Sequence, residues 1–149
     1  MGRVIQGQPV LGGPAKGEAL VSAEPLSFWG GYDYHTGEIT DRRHPLSGKS
    51  AAGRVLAVPF SRGSSTTTAV LLEAIRAGTA PAAILTTGLD SFFALASIVA
   101  NELYAKPIPI MALTPDQFAT LRTGDYLRIE EDGSIHVERA CRGECHAER

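Results

Sequence analysis

A chain of 149 residues with 44% hydrophobic and 20% charged residues has the composition of one ordinary globular domain. The net charge of −2 gives no electrostatic reason to expect binding to nucleic acid or to an anionic membrane. No apolar run approaches the roughly 20 residues that span a bilayer, and residues 1–10 lack the apolar stretch of a signal peptide. We therefore expect a cytoplasmic protein.

The first third of the chain is predicted to contain short strands and one long loop region. Residues 3–5 and 17–22 have the pattern of strands, and Gly12-Gly13-Pro14 breaks the chain between them. Residues 27–50 combine aromatic, glycine and charged residues with little periodicity, which is typical of loops. Long ordered loops in compact domains often carry function, so this region is a candidate for it.

A hydroxyl-rich segment, residues 60–68, is the feature around which the chain is arranged. The apolar run 55–58 leads into it as a buried strand, and an apolar-periodic segment leaves it as a helix. At a helix start, backbone N–H groups and the positive end of the helix dipole face the same space. Such a turn binds an anion or stabilises a serine that loses its proton. The alternative is that Ser64 or Ser65 only caps the helix.

The middle of the chain alternates helices and strands. The first helix is predicted over residues 65–77, because Gly78 follows it in a capping position. Buried strands are predicted over 82–86 and 107–113. Such crossovers imply parallel strand pairing.

A second helix is predicted between these two strands. Asp90 or Ser91 caps it, and it runs to about Tyr104. Apolar residues at helical spacing indicate its apolar face: Phe92, Leu95, Ala96, Val99 and Leu103.

Near the C-terminus a short helix and a hairpin are predicted. Thr114 is the N-cap of the helix, and Pro115 occupies its first position. Residues 126–129 and 135–137 alternate as strands around Asp132-Gly133, which is a hairpin signal.

These elements predict a compact α/β domain with β/β/α layers and a central parallel sheet. The domain is expected to span residues 1–138, followed by a polar, mobile tail over 139–149. Cys141, Cys145 and His146 lie in that tail, and three ligands are incomplete for a structural zinc site. We therefore expect no metal to be bound by this chain.

Five short motifs stand in order along the chain: SFWGG at 27–31, TGEI at 36–39, HPLSG at 44–48, SRGSS at 61–65 and APAAI at 80–84. Together they resemble the small subunit of aconitase X, with a match from about residue 12 to residue 137. The resemblance implies a swivelling domain like domain 4 of aconitases and hydro-lyase activity. It also implies a large-subunit partner that binds an iron–sulfur cluster, without which this chain is inactive.

Two substrates are known among members that resemble this chain. Bacterial members dehydrate cis-3-hydroxy-L-proline, here expected to give Δ1-pyrroline-2-carboxylate, and archaeal relatives dehydrate phosphomevalonate. No group of basic residues clearly marks a phosphate site in this sequence, which favours hydroxyproline and leaves phosphomevalonate as the alternative.

The segment SRGSS is similar to the Gly-Ser-Ser turn of aconitase, which implies roles for its residues. Ser64 corresponds to the serine that removes a proton from the substrate, and Gly63 and Ser65 lie on either side of it. Thr66 stands where aconitase has an arginine that holds a carboxylate, and Arg62 is the candidate to replace that arginine. We therefore predict Ser64 as the base and the other four as substrate-binding residues.

Loop residues outside this turn are predicted to meet the partner or to close over the site: Ser27, Phe28, Trp29, Gly30 and Gly31. For the two aromatic residues the alternative is a place in the core. His44 either contacts substrate or partner, or is a surface histidine without a role. Asp33 and Asp41 either orient Arg62 or a substrate amine, or cap turns.

Two other classes of function remain open. A non-catalytic swivelling module, such as a phosphoryl carrier, needs a nucleophilic histidine before the helix, and this chain has Ser64 there. The second class is a free-standing protein that binds a small molecule. Co-purification of a larger chain would argue against this class.

Overall fold

The computed structural model describes residues 2–11, 13–28, 30–62, 65–88 and 90–138. The strands are β1 Gly2–Gln6, β2 Gln8–Leu11, β3 Ala15–Val21, β4 Leu26–Ser27, β5 Val55–Ala57, β6 Ser61–Arg62, β7 Ala83–Thr86, β8 Ile110–Ala112, β9 Tyr126–Ile129 and β10 Ser134–Glu138. The helices are α1 Ser65–Ala77, α2 Ser91–Tyr104 and α3 Pro115–Ala119. None of the helices in these ranges is long and apolar enough to cross a membrane.

Eight of the strands in the described residues form one hydrogen-bonded sheet, in the order β1-β10-β9-β3-β5-β7-β8-β2. The strands β3, β5, β7 and β8 pair in parallel. The strands β1, β10 and β9 pair antiparallel with each other and then with β3. Strand β3 joins the two parts because residues 15–18 pair with β9 and residues 19–21 pair with β5.

The sheet curls until its two edges meet at Gly7. Strands β1 and β2 lie at opposite ends of the strand order, yet Gly7 alone separates them along the chain. Its N–H donates a hydrogen bond of 2.9 Å to the carbonyl oxygen of Gly133. A Cβ at Gly7 would lie 3.0 Å from the Leu113 side chain, so a larger residue at this corner would displace its neighbours.

Two hydrophobic cores lie on the two faces of the parallel sheet. Successive strand residues point to opposite faces. Leu56 and Ile84 therefore pack toward the helices, whereas Ala57 and Leu85 pack toward the antiparallel strands. Helices α1 and α2 pack against each other over the first face. The predicted β/β/α layering is confirmed.

Local signals in the sequence located several elements correctly. Helix α1 has the predicted bounds, and Asp90 caps α2 by accepting hydrogen bonds from the N–H groups of Phe92 and Phe93. Thr114 caps α3, where Gln117 completes a capping box. The hairpin of β9 and β10 is also present.

The apolar face assigned to α2 was mostly wrong, since of its five residues Ala96 alone is buried. The residues that α2 buries are mostly small, namely Phe93, Ala94, Ala96, Ser97 and Ala100. Leu95 and Leu103 are 49% and 62% exposed. Four of these buried residues are small, and the one large side chain among them, Phe93, packs against Phe28. Leu95 and Leu103 therefore face outward, although they follow a helical period.

The described residues between 27 and 50 form no helix, in line with their weak secondary-structure signal, and four of their apolar side chains belong to the helix-side core: Phe28, Tyr32, Ile39 and Leu46. Tyr32 and Ile39 form an isolated bridge, and both are buried with Leu46. Two short strands at the borders of this region and of the hydroxyl-rich turn were not predicted: β4 and β6. Strand β2 was also missed, because Pro9 interrupts any alternation. The tail over 139–149 lies outside the described residues.

Candidate functional site

The parallel pairing of β4 with β6 brings two predicted site segments together. Leu26 pairs with Ser61, and Ser27 pairs with Arg62. Because parallel strands end at the same edge, the chain leaves β4 toward residues 28–31 beside the place where it leaves β6 toward α1. The pairing therefore joins the first and fourth of the five motifs, which are more than thirty residues apart in the sequence.

The hydroxyl-rich turn connects β6 to α1. Arg62 ends the strand, and Ser65 and Thr66 are the first two residues of the helix. Gly63 and Ser64, the predicted centre of the site, lie outside the described residues. The first turn of α1 contains no acidic residue that would offset the positive end of its dipole.

The end of β7 and the first turn of α2 are hydrogen-bonded to residues on the two sides of this turn. On the upstream side, the N–H and the Oγ1 of Thr87 each donate a hydrogen bond of 3.1 Å to the carbonyl oxygen of Pro59. On the downstream side, Thr68 Oγ1 donates to the carbonyl oxygen of Phe92 at 3.0 Å. Sequence reasoning missed both links, although two adjacent threonines, Thr86 and Thr87, stand where the buried strand β7 ends.

The side chain of Phe28 is a core residue. It is fully buried, stacks on Tyr32 with ring centroids 4.6 Å apart, and meets the edge of Phe93 at 5.4 Å. Burial raises the pKa of the Tyr32 hydroxyl, which donates to the carbonyl oxygen of Thr79 at 2.8 Å. A partner cannot reach Phe28 unless the core opens, so the interface alternative is wrong for this side chain.

The loop after Phe28 turns tightly. Gly30 has a φ of 77°, which favours glycine. A side chain on Gly31 would collide with the carbonyl oxygen of Ser27. Trp29 lies outside the described residues, so its role at an interface stays a prediction.

His44 is buried, which makes the surface alternative wrong. Its Nδ1 accepts a hydrogen bond of 3.1 Å from the N–H of Leu46, and its Nε2 lies 3.2 Å from the carbonyl oxygen of Glu24. Because Nδ1 accepts, Nε2 carries the proton and donates. The imidazole of His44 thus links the turn at residues 44–46 to Glu24, which precedes β4. A contact of His44 with substrate or partner stays a prediction.

The two loop aspartates cap turns. Asp33 Oδ1 accepts from the N–H of His35 at 2.8 Å, and Asp41 Oδ1 accepts from the N–H of Arg43 at 3.0 Å. A cleft of about 430 Å³ lies beside the second turn, lined by Glu24, Pro25, Asp41, Arg42, Arg43 and His44. Its charges are mixed and do not define one class of ligand.

An iron–sulfur cluster does not fit the described part of this chain. Such clusters are held by cysteine thiolates, and the two cysteines, Cys141 and Cys145, lie beyond residue 138. No group of three or more His, Cys, Asp or Glu side chains that could hold a metal occurs among the described residues.

Known proteins resemble this chain over nearly its whole length. The cis-3-hydroxy-L-proline dehydratase of Pseudomonas aeruginosa is 43% identical over 136 residues, which cover 91% of this chain and 23% of the relative. The phosphomevalonate dehydratase small subunit of Thermococcus gammatolerans is 35% identical over 134 residues, which cover 89% of this chain and 96% of that protein. The chain therefore spans less than a quarter of the first relative and almost all of the second.

Fold and family agree. A crystal structure of Thermococcus kodakaraensis aconitase X in its holo-form matches with a TM-score of 0.81 and 30% identity, over 92% of this chain and 99% of the matched chain. The family model described as the aconitase X swivel domain matches residues 4–137. The resemblance inferred from the five motifs is thereby confirmed, and this chain belongs to the aconitase X swivel domain family.

Proposed function

We propose that this chain is the small subunit of a dehydratase of the aconitase X type, with an active site completed by a larger chain. The observation that carries the proposal is the β4–β6 pairing, which sets the segment after Ser27 beside the segment after Arg62 at the start of α1. Two family motifs that are distant in sequence thus converge on one helix N-terminus.

The partner is proposed from the name of a relative, since the Thermococcus protein that this chain matches over 96% of that protein's length is a small subunit. We propose that a large subunit supplies the thiolates of an iron–sulfur cluster. The cytoplasmic location also stays a prediction.

The proposed reaction is the loss of water from cis-3-hydroxy-L-proline. The proton on C2 passes to the Ser64 alkoxide, and the electron pair left on C2 forms the double bond to C3 as the C3–O bond breaks. The departing hydroxide takes up a proton from solvent and the Ser64 hydroxyl later returns its proton to solvent, so that water is the net product. The resulting enamine tautomerises to Δ1-pyrroline-2-carboxylate. A serine hydroxyl is too weakly acidic to act as a base unaided, so the positive end of α1 has to stabilise the alkoxide. Arg62, Gly63, Ser65 and Thr66 are proposed to bind the substrate.

The choice of substrate rests on similarity. The hydroxyproline enzyme is 43% identical to this chain, against 35% for the phosphomevalonate enzyme. Phosphomevalonate is the second candidate, because the small subunit of an enzyme for it is similar to 89% of this chain. A non-catalytic swivelling or binding module is the alternative of another class.

The test is Ser64→Ala in the complex reconstituted with the large subunit. We expect turnover to fall by about 10²–10³, which is typical when a group that stabilises developing charge is removed. Fold and subunit pairing are expected to persist. Melting temperature and kcat are measured on the same sample with both substrates.

Three further results would decide between the alternatives. If Ser64 only caps the helix, Ser64→Ala loses about 1 kcal/mol of stability and keeps its turnover, which would refute the base assignment. If Ser65→Ala is the inactive variant instead, the base lies one residue further on. The rigorously purified single chain should show no turnover, because the described residues offer no ligand set for the cluster.

A further inference from the structure

We infer that Thr68 is a positioning residue for the proposed base, acting through its hydrogen bond to the carbonyl oxygen of Phe92. The inference rests on the proposed function, because it concerns where Ser64 is held. Thr68 is the last residue of the hydroxyl-rich segment, four positions after Ser64.

The hydrogen bond of Thr68 is unusual for its place in a helix. Threonine hydroxyls in helices commonly donate to the carbonyl three or four residues earlier in the same helix. Thr68 Oγ1 donates instead across 24 residues to Phe92, in the first turn of α2, at 3.0 Å. A hydroxyl has one hydrogen to donate, so this donation links two helix starts.

The acceptor is itself firmly held. The N–H of Phe92 donates to Asp90 Oδ1 at 3.1 Å, which fixes the residue at the capped start of α2. Thr86 Oγ1 donates to the carbonyl oxygen of Gly88 at 2.6 Å in the segment before the cap. The first turn of α1 is therefore tied to a part of the chain that has its own hydrogen bonds.

Along the sequence, Ser64 stands between two such ties. Thr87 donates two hydrogen bonds to Pro59 upstream, and Thr68 donates one to Phe92 downstream. Loss of the Thr87 hydroxyl would leave a backbone bond in place, whereas among the described residues no backbone hydrogen bond accompanies that of Thr68 to Phe92. A displacement of about 1 Å in a reacting group can cost on the order of 10²-fold in rate.

The experiment compares Thr68→Val with Thr79→Val in the reconstituted complex. Valine keeps the shape of threonine and removes its hydroxyl. Thr79 is the matched control, because its Oγ1 also donates to a backbone carbonyl of another segment, that of Tyr34 at 2.6 Å, just beyond the other end of α1. The substrate is whichever of the two candidates the wild-type complex dehydrates.

We expect similar small decreases in melting temperature for both variants. For Thr68→Val we expect kcat to fall by about tenfold or more with little change in KM, since placement of the base alters the chemical step and not substrate affinity. Thr79→Val should keep the wild-type kcat. Thr68→Ser, which restores the hydroxyl, should recover most of the lost kcat.

Equal kcat values for Thr68→Val and Thr79→Val would overturn the inference, as would a Thr68→Ser variant as slow as Thr68→Val. Where Thr68→Val does not assemble, Thr68→Ala is measured with the same expectation. If Ser64→Ala is slow but Thr68→Val is fast, positioning by Thr68 fails and the proposed base stands. If Ser64→Ala is fully active, both fail.

Discussion

The two faces of the parallel sheet are covered in different ways. The face toward the antiparallel strands is closed by side chains of paired strands, mostly aliphatic, such as Leu127 and Ile135. The face toward the helices is closed by α1, α2 and the long loop region, with the aromatic cluster of Phe28, Tyr32 and Phe93 between them.

This difference shows which part of the fold supports the candidate site. Residues after β4 and the helices α1 and α2 belong to the helix-side core. The β4–β6 pairing and the hydrogen bond from Thr68 to Phe92 place them beside the two ends of the segment that contains Ser64. The core on the other face supports the same parallel strands from the opposite side. Substitutions in the two cores should therefore lower the free energy of unfolding by similar amounts but affect kcat differently.

The largest expected effect is that of Phe28→Ala compared with Leu127→Ala. Both side chains are fully buried, and we expect losses of about 3–5 kcal/mol for the first and about 2–5 kcal/mol for the second in the free energy of unfolding. Only Phe28→Ala should also lower kcat, because it releases the loop beside the turn. Urea denaturation and kcat, measured where each variant is folded, check this.

A Leu127→Ala variant that loses kcat as strongly as Phe28→Ala would remove the functional distinction between the two cores. A Phe28→Ala variant with reduced stability and unchanged kcat would restrict the aromatic cluster to a structural role.

The next effect concerns the two sides of α2. Ala100 is fully buried against its neighbours, so Ala100→Leu should cost about 1–3 kcal/mol by overpacking. Leu103 is 62% exposed, so Leu103→Ala should change the free energy of unfolding of this chain by no more than about 0.5 kcal/mol. The reverse order of the two values would contradict the orientation of the helix.

The same helix shows how far the sequence determines the fold. Caps and turns depend on neighbouring residues, and for that reason Asp90, Thr114 and the bounds of α1 could be predicted. The orientation of α2 depends on how closely other elements approach it. Periodicity of the apolar residues does not contain that information, and it placed the exposed Leu95 and Leu103 on one face with the buried Ala96.

The candidate site was predictable to a similar extent. Its hydroxyl-rich turn could be recognised from a strand, a glycine and a helix start in one stretch. The pairing of β4 with β6 involves two residues on each strand, too few for any pattern, and it depends on tertiary structure. The hydrogen bond from Thr68 to Phe92 and the one between buried His44 and Glu24 likewise connect residues that are 20 or more positions apart in the sequence.

The smallest expected effect lies at the far side of the antiparallel layer, at Asp132 in the turn between β9 and β10. Its Oδ1 accepts a hydrogen bond of 2.9 Å from the backbone N–H of Ser134, and this bond lowers the pKa of the carboxyl below its usual value. A carboxyl with a lowered folded-state pKa stabilises the fold above its unfolded pKa, and the contribution is lost as the pH falls through the folded value. Between about pH 5 and about pH 3, wild type should therefore lose slightly more stability than Asp132→Asn, which cannot titrate. Because the carboxylate is fully exposed, the difference should be small and kcat at neutral pH should not change. The urea midpoint of the two proteins is measured as a function of pH. If the two profiles keep the same separation at every pH, this hydrogen bond does not favour the ionised form.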